Sequence, residues 1–302
     1  LLKTGAAAGL AFGAGLAAGP ARADTMMERI FYRAPGLGSG YAVVDAQCYT
    51  SDVWYLPVES LIGEMNRAGV DHAVLTQYDV EVNNDYQFDA VHRYPGKFAN
   101  VVAVNYSLTD APQTLAALAA RGASGVRIPA KVRSPGSDPL AIWKAAASLN
   151  LPVSCSGTTA DFMDPSFVGI ITTVPQIPIV LEHAGGAYGS IAPIDDLRQI
   201  YTLAAFPNVY VKIGGLSEFD RRITPVPEPF PFVVPVPPVL DMALSFFGPN
   251  RTMWGSDYPP VAGREGYGNS LRYTIGQLKN RSDDDLSWIF GRTATNVFGV
   301  KS

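Results

Sequence analysis

Eight short runs rich in β-branched and apolar residues recur along this chain, with stretches of helical spacing between them. The runs are 42–45 (AVVD), 73–77 (AVLTQ), 100–105 (NVVAVN), 125–128 (GVRI), 152–156 (PVSCS), 177–183 (IPIVLEH), 209–213 (VYVKI) and 252–256 (TMWGS). Between them, 58–68 sets Leu61, Ile62 and Met65 on one side of a helix, and 111–120, 140–149, 195–205 and 239–247 follow the same spacing. A last helix is expected over 283–298. Strands alternating with helices are βα units around a parallel sheet. Strands this short and apolar need helices over both faces of the sheet. A single-domain (β/α)8 TIM barrel meets that need, and 302 residues suit one. An open doubly wound sheet is the competing architecture. Its nucleotide-binding form lacks a phosphate loop here, because neither G-x-G-x-x-G nor G-x-x-x-x-G-K-[ST] follows the first strand.

Composition narrows the function classes. Apolar residues make up 47% and charged residues 17%, which excludes a disordered chain and allows one large core. Lys plus Arg is 23 and Asp plus Glu is 27, so the net charge is −4, without the basic patch a nucleic-acid partner needs. Two Cys and three His exclude a disulfide framework and a zinc site built mainly from Cys and His. Cys48 and Cys155, on strands one and five, are expected to stay unpaired.

Residues 5–19 (GAAAGLAFGAGLAAG) form a small-residue apolar run, followed by the cleavage signal Ala21-Arg22-Ala23. We read 1–23 as a signal peptide, the tail of a twin-arginine type whose arginines lie upstream of Leu1. The barrel then occupies 24–302, exported to the periplasm or beyond, with no membrane span after cleavage. Residues 224–238 (TPVPEPFPFVVPVPP) hold seven Pro, which excludes a helix or a central strand. They belong on the barrel's carboxy-terminal rim, as a lid, a partner surface or a spacer.

Catalytic side chains of a barrel come from the carboxy-terminal ends of its strands. Those ends carry Asp45-Ala46-Gln47-Cys48-Tyr49, Gln77-Tyr78, Arg127, Ser156, His183, Lys212 and Asp257. Asp257 suits a general base, against a bland reading as a helix cap or loop ion pair. Gln47 and Tyr49 alternate and therefore share one face, offering an amide and a hydroxyl to a polar substrate. Arg127 is either a fork for a substrate carboxylate or half of an ion pair inside the barrel. Lys212 alternates with Tyr210 and is expected to point inward, where with Arg127 it would hold a substrate carboxylate, against a bland reading as a snorkelling strand lysine. Gln77 and Tyr78 are weaker candidates of the same kind. Cys155 as a nucleophile with His183 as its base is a minor reading, a buried inert thiol the default. His72 and His92 read as structural.

Several of these segments resemble the amidohydrolase-related family, the branch of the amidohydrolase superfamily that contains decarboxylases and lactonases. The resemblance lies in LEHAGG (181–186), NVYVKIGG (208–215), RTMWGSDYP (251–259) and GRTATNVFG (291–299). LNLPVSCSG (149–157) and GASGVRI (122–128) agree in position and pattern. GSDYP is the most specific element, and the metal-independent lactonases are the most similar branch. The family opens with D-x-H-x-H, whose histidines hold a divalent metal; here Gln47 and Tyr49 stand in their places, and Ser156 replaces the strand-five His. Only His183 and Asp257 remain of that ligand set. The resemblance therefore implies a hydrolase without a cofactor, in which Asp257 activates water. His183, with Gln47 or Tyr49, would donate to the carbonyl of a small polar or acidic lactone. Isomerisation of such a ring is a variant needing the same groups. Two other readings stand beside it. One is a decarboxylase or hydrolase with a single divalent metal on an atypical set that draws on Asp45 or Cys48. The other is a barrel that binds a small molecule without turning it over. The partner expected throughout is a small-molecule substrate, with homo-oligomerisation left open.

Overall fold

The computed structural model describes residues 41–187, 194–215, 238–278 and 280–300. The signal segment 1–23, and all of 224–238 but Pro238, lie outside the described residues. The strands are β1 Val44–Cys48, β2 His72–Thr76, β3 Phe98–Val102, β4 Gly125–Arg127, β5 Val153–Cys155, β6 Ile179–Leu181, β7 Val209–Ile213 and β8 Thr252–Trp254. They form one parallel sheet in the order β1 to β8. The ends of that sheet meet: Asp257 N donates to the Gln47 carbonyl at 2.9 Å and Tyr49 N to the Tyr258 carbonyl at 2.7 Å. An open doubly wound sheet is thereby excluded. No helix among the described residues is long and apolar enough to cross a membrane.

Side-chain alternation sorts the strands into an inside and an outside. Leu75, Val126, Val153, Leu181, Val211 and Trp254 face outward and pack in the layer shared with the helices. Val74, Val101, Val180 and Met253 face inward and share an apolar cluster with Ala294, Phe298 and Val300. The closing helix thus plugs the barrel's amino-terminal end. It runs as Asp283–Ser287, a π-helical turn Trp288–Arg292, and Thr293–Phe298. The next inward positions toward the carboxy-terminal end are polar: Arg127, Ser154, Glu182 and Lys212, all buried.

β1 breaks the alternation with a bulge. Asp45 pairs with Ala73 and Cys48 with Leu75, so three steps on β1 face two on β2. The extra residue re-aims the strand end. Ala46 stays in the interior cluster, Gln47 reaches Lys212, and Cys48 turns out to the helix layer. Gly255 makes this possible: a Cβ there would stand 2.6 Å from the Gln47 Cβ. Asp85–Arg93, Pro165–Thr173 and Tyr267–Gln277 are further helices that the periodicity did not reveal.

Candidate active site

Six buried side chains close a hydrogen-bonded ring across the barrel. Lys212 Nζ donates to Gln47 Oε1 at 2.5 Å and to Ser154 Oγ at 2.6 Å. Ser154 Oγ donates to Glu182 Oε1 at 2.5 Å. Arg127 donates to Glu182 from Nε at 3.2 Å and from Nη2 at 2.6 Å, and from Nη2 to Tyr49 Oη at 3.2 Å. Gln47 Nε2 completes the circuit by donating to Tyr49 Oη at 2.6 Å. The ring joins β1, β4, β5, β6 and β7 because each strand contributes the inward residue of the same upper layer. Its electrostatics follow from pairing against burial. Burial works to raise the Glu182 carboxyl, but Arg127 and Lys212 hold it down at about 2. Burial lowers the Lys212 ammonium to about 8, opposed by Glu182.

Two strand ends leave the ring in strained backbone. His183 follows β6 with φ 49°, and Ala184, Gly185 and Gly186 continue at 51°, 84° and 83°. Gly186 is obligatory: besides its φ, a Cβ would lie 2.7 Å from the Gly157 carbonyl oxygen. Asp257 follows β8 with φ 59°. A non-glycine residue held there is costly and clusters at functional sites. The Asp257 carboxylate is buried and meets Arg264 Nη2 at 3.0 Å. Beneath it, Ser256 donates to Asp45 from its amide at 2.8 Å and its hydroxyl at 2.6 Å. Burial pushes the Asp45 carboxyl up against those bonds.

The sequence candidates divide accordingly. Gln47, Tyr49, Arg127 and Lys212 meet in the ring; His183 directly follows its Glu182, and Asp257 bonds the backbone of its Gln47. Arg127 takes the second of its two readings: its fork is committed to Glu182, with Asp79 also 4.0 Å away. Tyr78 lies in a cluster of rings, 6.3 Å from Tyr49 and 5.8 Å from Tyr55, while Tyr55 stacks on Tyr49 at 5.5 Å. Gln77 is turned away: its amide bonds the Asn83 carbonyl at 2.5 Å and Gln87 at 3.0 Å. Ser156 is half-buried and its hydroxyl has no hydrogen-bond partner among the described residues. Cys155 as a nucleophile is overturned. It faces the helix layer rather than the interior, and burial pushes its thiol well up. Cys48 and Cys155 are both free thiols. His72 bonds the Gly96 carbonyl at 2.8 Å, a structural contact.

Glu182, Ser154 and Arg264 were missed. Glu182 had a signal: it lies two residues after inward Val180, so a strand-borne carboxylate had to face the interior. The donors gathered here do not fit a divalent metal. An ammonium and a guanidinium occupy the interior, and Gln47 and Tyr49 are already bonded to them. No group of three or more His, Cys, Asp or Glu converges among the described residues.

Lys212 gives a stability test. Its folded-state value of about 8 lies below the ordinary 10.5, so between those pH values the unfolded chain binds the extra proton. Stability then rises with pH across that window. We expect the unfolding free energy of the wild type to gain on that of Lys212→Met, by up to about 1.4 kcal/mol per pH unit. Urea titrations at several pH values check this; a constant difference would refute it.

Comparison with known proteins agrees with the fold. The Amidohydrolase family profile matches residues 36–300, and the chain belongs to that family. It is 26% identical over 250 residues to an L-fucono-1,5-lactonase of Burkholderia ambifaria, spanning 78% of this chain and 82% of that protein. It is 24% identical over 218 residues to a 4-sulfomuconolactone hydrolase of Rhizobium radiobacter, spanning 67% and 66%. An amidohydrolase from Burkholderia multivorans, crystallised with bound zinc, shares the fold with a TM-score of 0.69 at 18% identity, over 86% of this chain and 99% of that one.

Proposed function

We propose that this chain hydrolyses a small, polar, uncharged lactone without a metal. The observation that carries the reading is where the backbone strain falls. Among the described residues only Asn150, His183, Ala184 and Asp257 are non-glycines with left-handed φ. Three of these four lie at the two strand ends that bear the candidate acid–base groups. Both curated relatives above are lactone hydrolases by name, which supports the same substrate class.

In this reading Asp257 takes a proton from water as the water oxygen bonds to the lactone carbonyl carbon. The carbonyl pair moves onto its oxygen, and hydrogen-bond donors at the rim, His183 among them, hold that charge. That pair then returns to re-form the carbonyl, the ring C–O bond breaks, and the departing alkoxide takes the proton held by Asp257, which restores the base. The committed Arg127 fork favours a hydroxylated ring over an acidic one.

The test is a panel of neutral and carboxylated five- and six-membered lactones, followed by acid release, with and without EDTA. Turnover of neutral lactones, indifferent to the chelator, is expected. No turnover of any lactone would sink the lactone reading. Loss of turnover with EDTA, restored by zinc or manganese, would sink the metal-free one.

A further inference from the structure

The direction of every hydrogen bond in the ring is dictated by its two obligate donors. An ammonium and a guanidinium have no lone pair to offer. Lys212 Nζ must therefore donate to Gln47, which turns the Gln47 carbonyl toward Lys212 and its Nε2 toward Tyr49. Gln47 Nε2 then donates to Tyr49 Oη at 2.6 Å, and Arg127 Nη2 donates to the same oxygen at 3.2 Å. A phenol oxygen accepts two bonds and donates one. Both acceptor positions are filled by groups that cannot reverse. Glu182, the ring's sole carboxylate, is engaged by Arg127 and Ser154 instead. The Tyr49 O–H thus has no acceptor in the ring, and no hydrogen bond carries it to any other described residue.

From this we infer that Tyr49 delivers its O–H to the carbonyl oxygen of the substrate and gains strength as that oxygen becomes an oxyanion. The role rests on the lactone-hydrolase reading above. Tyr49 gives up no proton: Asp257 receives the one water loses, and Tyr49 donates only a hydrogen bond. The phenol suits this because burial, against the pull of Arg127, keeps it protonated well beyond the neutral range. Its placement also fits. Tyr55 and Tyr78 fix the ring plane by stacking and edge contact. Asp257 N bonds the Gln47 carbonyl at 2.9 Å and the Gln47 side-chain amide bonds Tyr49 at 2.6 Å, which puts base and donor in one site.

Two measurements on the full chain test the role. The first is 3,5-difluorotyrosine at position 49, observed by 19F NMR while δ-valerolactam, an unreactive lactone analogue, is titrated in. A saturable shift of the resonance is expected; a resonance unmoved at the solubility limit of the lactam overturns the proposal. The second is kinetic. Tyr49→Phe should lower kcat about 10²–10³-fold with KM within a few-fold. A Tyr49→Phe variant that folds and keeps kcat within a few-fold means a structural role only. Should Tyr49→Phe fail to fold, the fluorinated protein still decides. If no lactone is hydrolysed by the wild type, the functional reading fails separately, and the fluorine titration alone judges Tyr49.

Discussion

Asp257→Asn is expected to lower lactone turnover about 10²–10⁴-fold, the usual worth of a positioned general base. The change is nearly isosteric, and it suits the backbone. Asp257 sits at φ 59°, a region where Asn is among the few tolerated side chains. The amide of residue 257 still donates to the Gln47 carbonyl, so barrel closure is kept. What is lost is the charge facing Arg264 and the basic oxygen. Turnover by Asp257→Asn should therefore collapse while circular dichroism and the thermal midpoint change little. A variant that folds and turns over at wild-type rates would remove Asp257 from the chemistry.

The second large effect concerns stability. Arg127 and Glu182 are both buried, and their bond is short and forked. Removing one partner leaves the other as an unpaired charge in a medium that solvates it poorly. Glu182→Leu and Arg127→Met should each cost about 3–5 kcal/mol. The double variant should recover most of that loss, because apolar side chains of similar volume replace a buried pair at little net cost. Activity should not return with it, since Tyr49 loses a donor and Ser154 its acceptor. Denaturant titrations of all four proteins close the cycle. Simple addition of the two single losses would mean that the charges do not sense each other.

The barrel was legible because its signal is repeated. Each buried strand needs a β-branched run, and eight such runs with helices between them leave few architectures. The missed helices lack that signal: Tyr267–Gln277 carries two Gly, Asn and Gln among its apolar positions. At the site, inward Lys212 and the shared face of Gln47 and Tyr49 followed from parity. The bulge that places Gln47 did not, because it depends on Gly255 of a strand about two hundred positions away. Glu182 was within reach of the same parity argument, yet its pairing with Arg127 requires knowing that β4 and β6 flank β5 and turn both side chains into the same layer of the lumen. Strain at His183 and Asp257 is invisible in sequence, since neither residue is glycine. It is set by the fold, at residue types that enter the left-handed region more readily than most non-glycines but are usually found elsewhere.

The seam where β8 returns to β1 gives the protein an order of assembly. Arg127, Ser154, Glu182 and Lys212 can meet once β4 to β7 have paired. Gln47 and Asp257 cannot be aimed until residues 211 positions apart come together, as Asp45 and Ser256 do. Contacts of such long range are the slowest to form. The site therefore needs both ends of the barrel, and a nascent chain that has not yet delivered β8 lacks both Asp257 and the closure that aims Gln47.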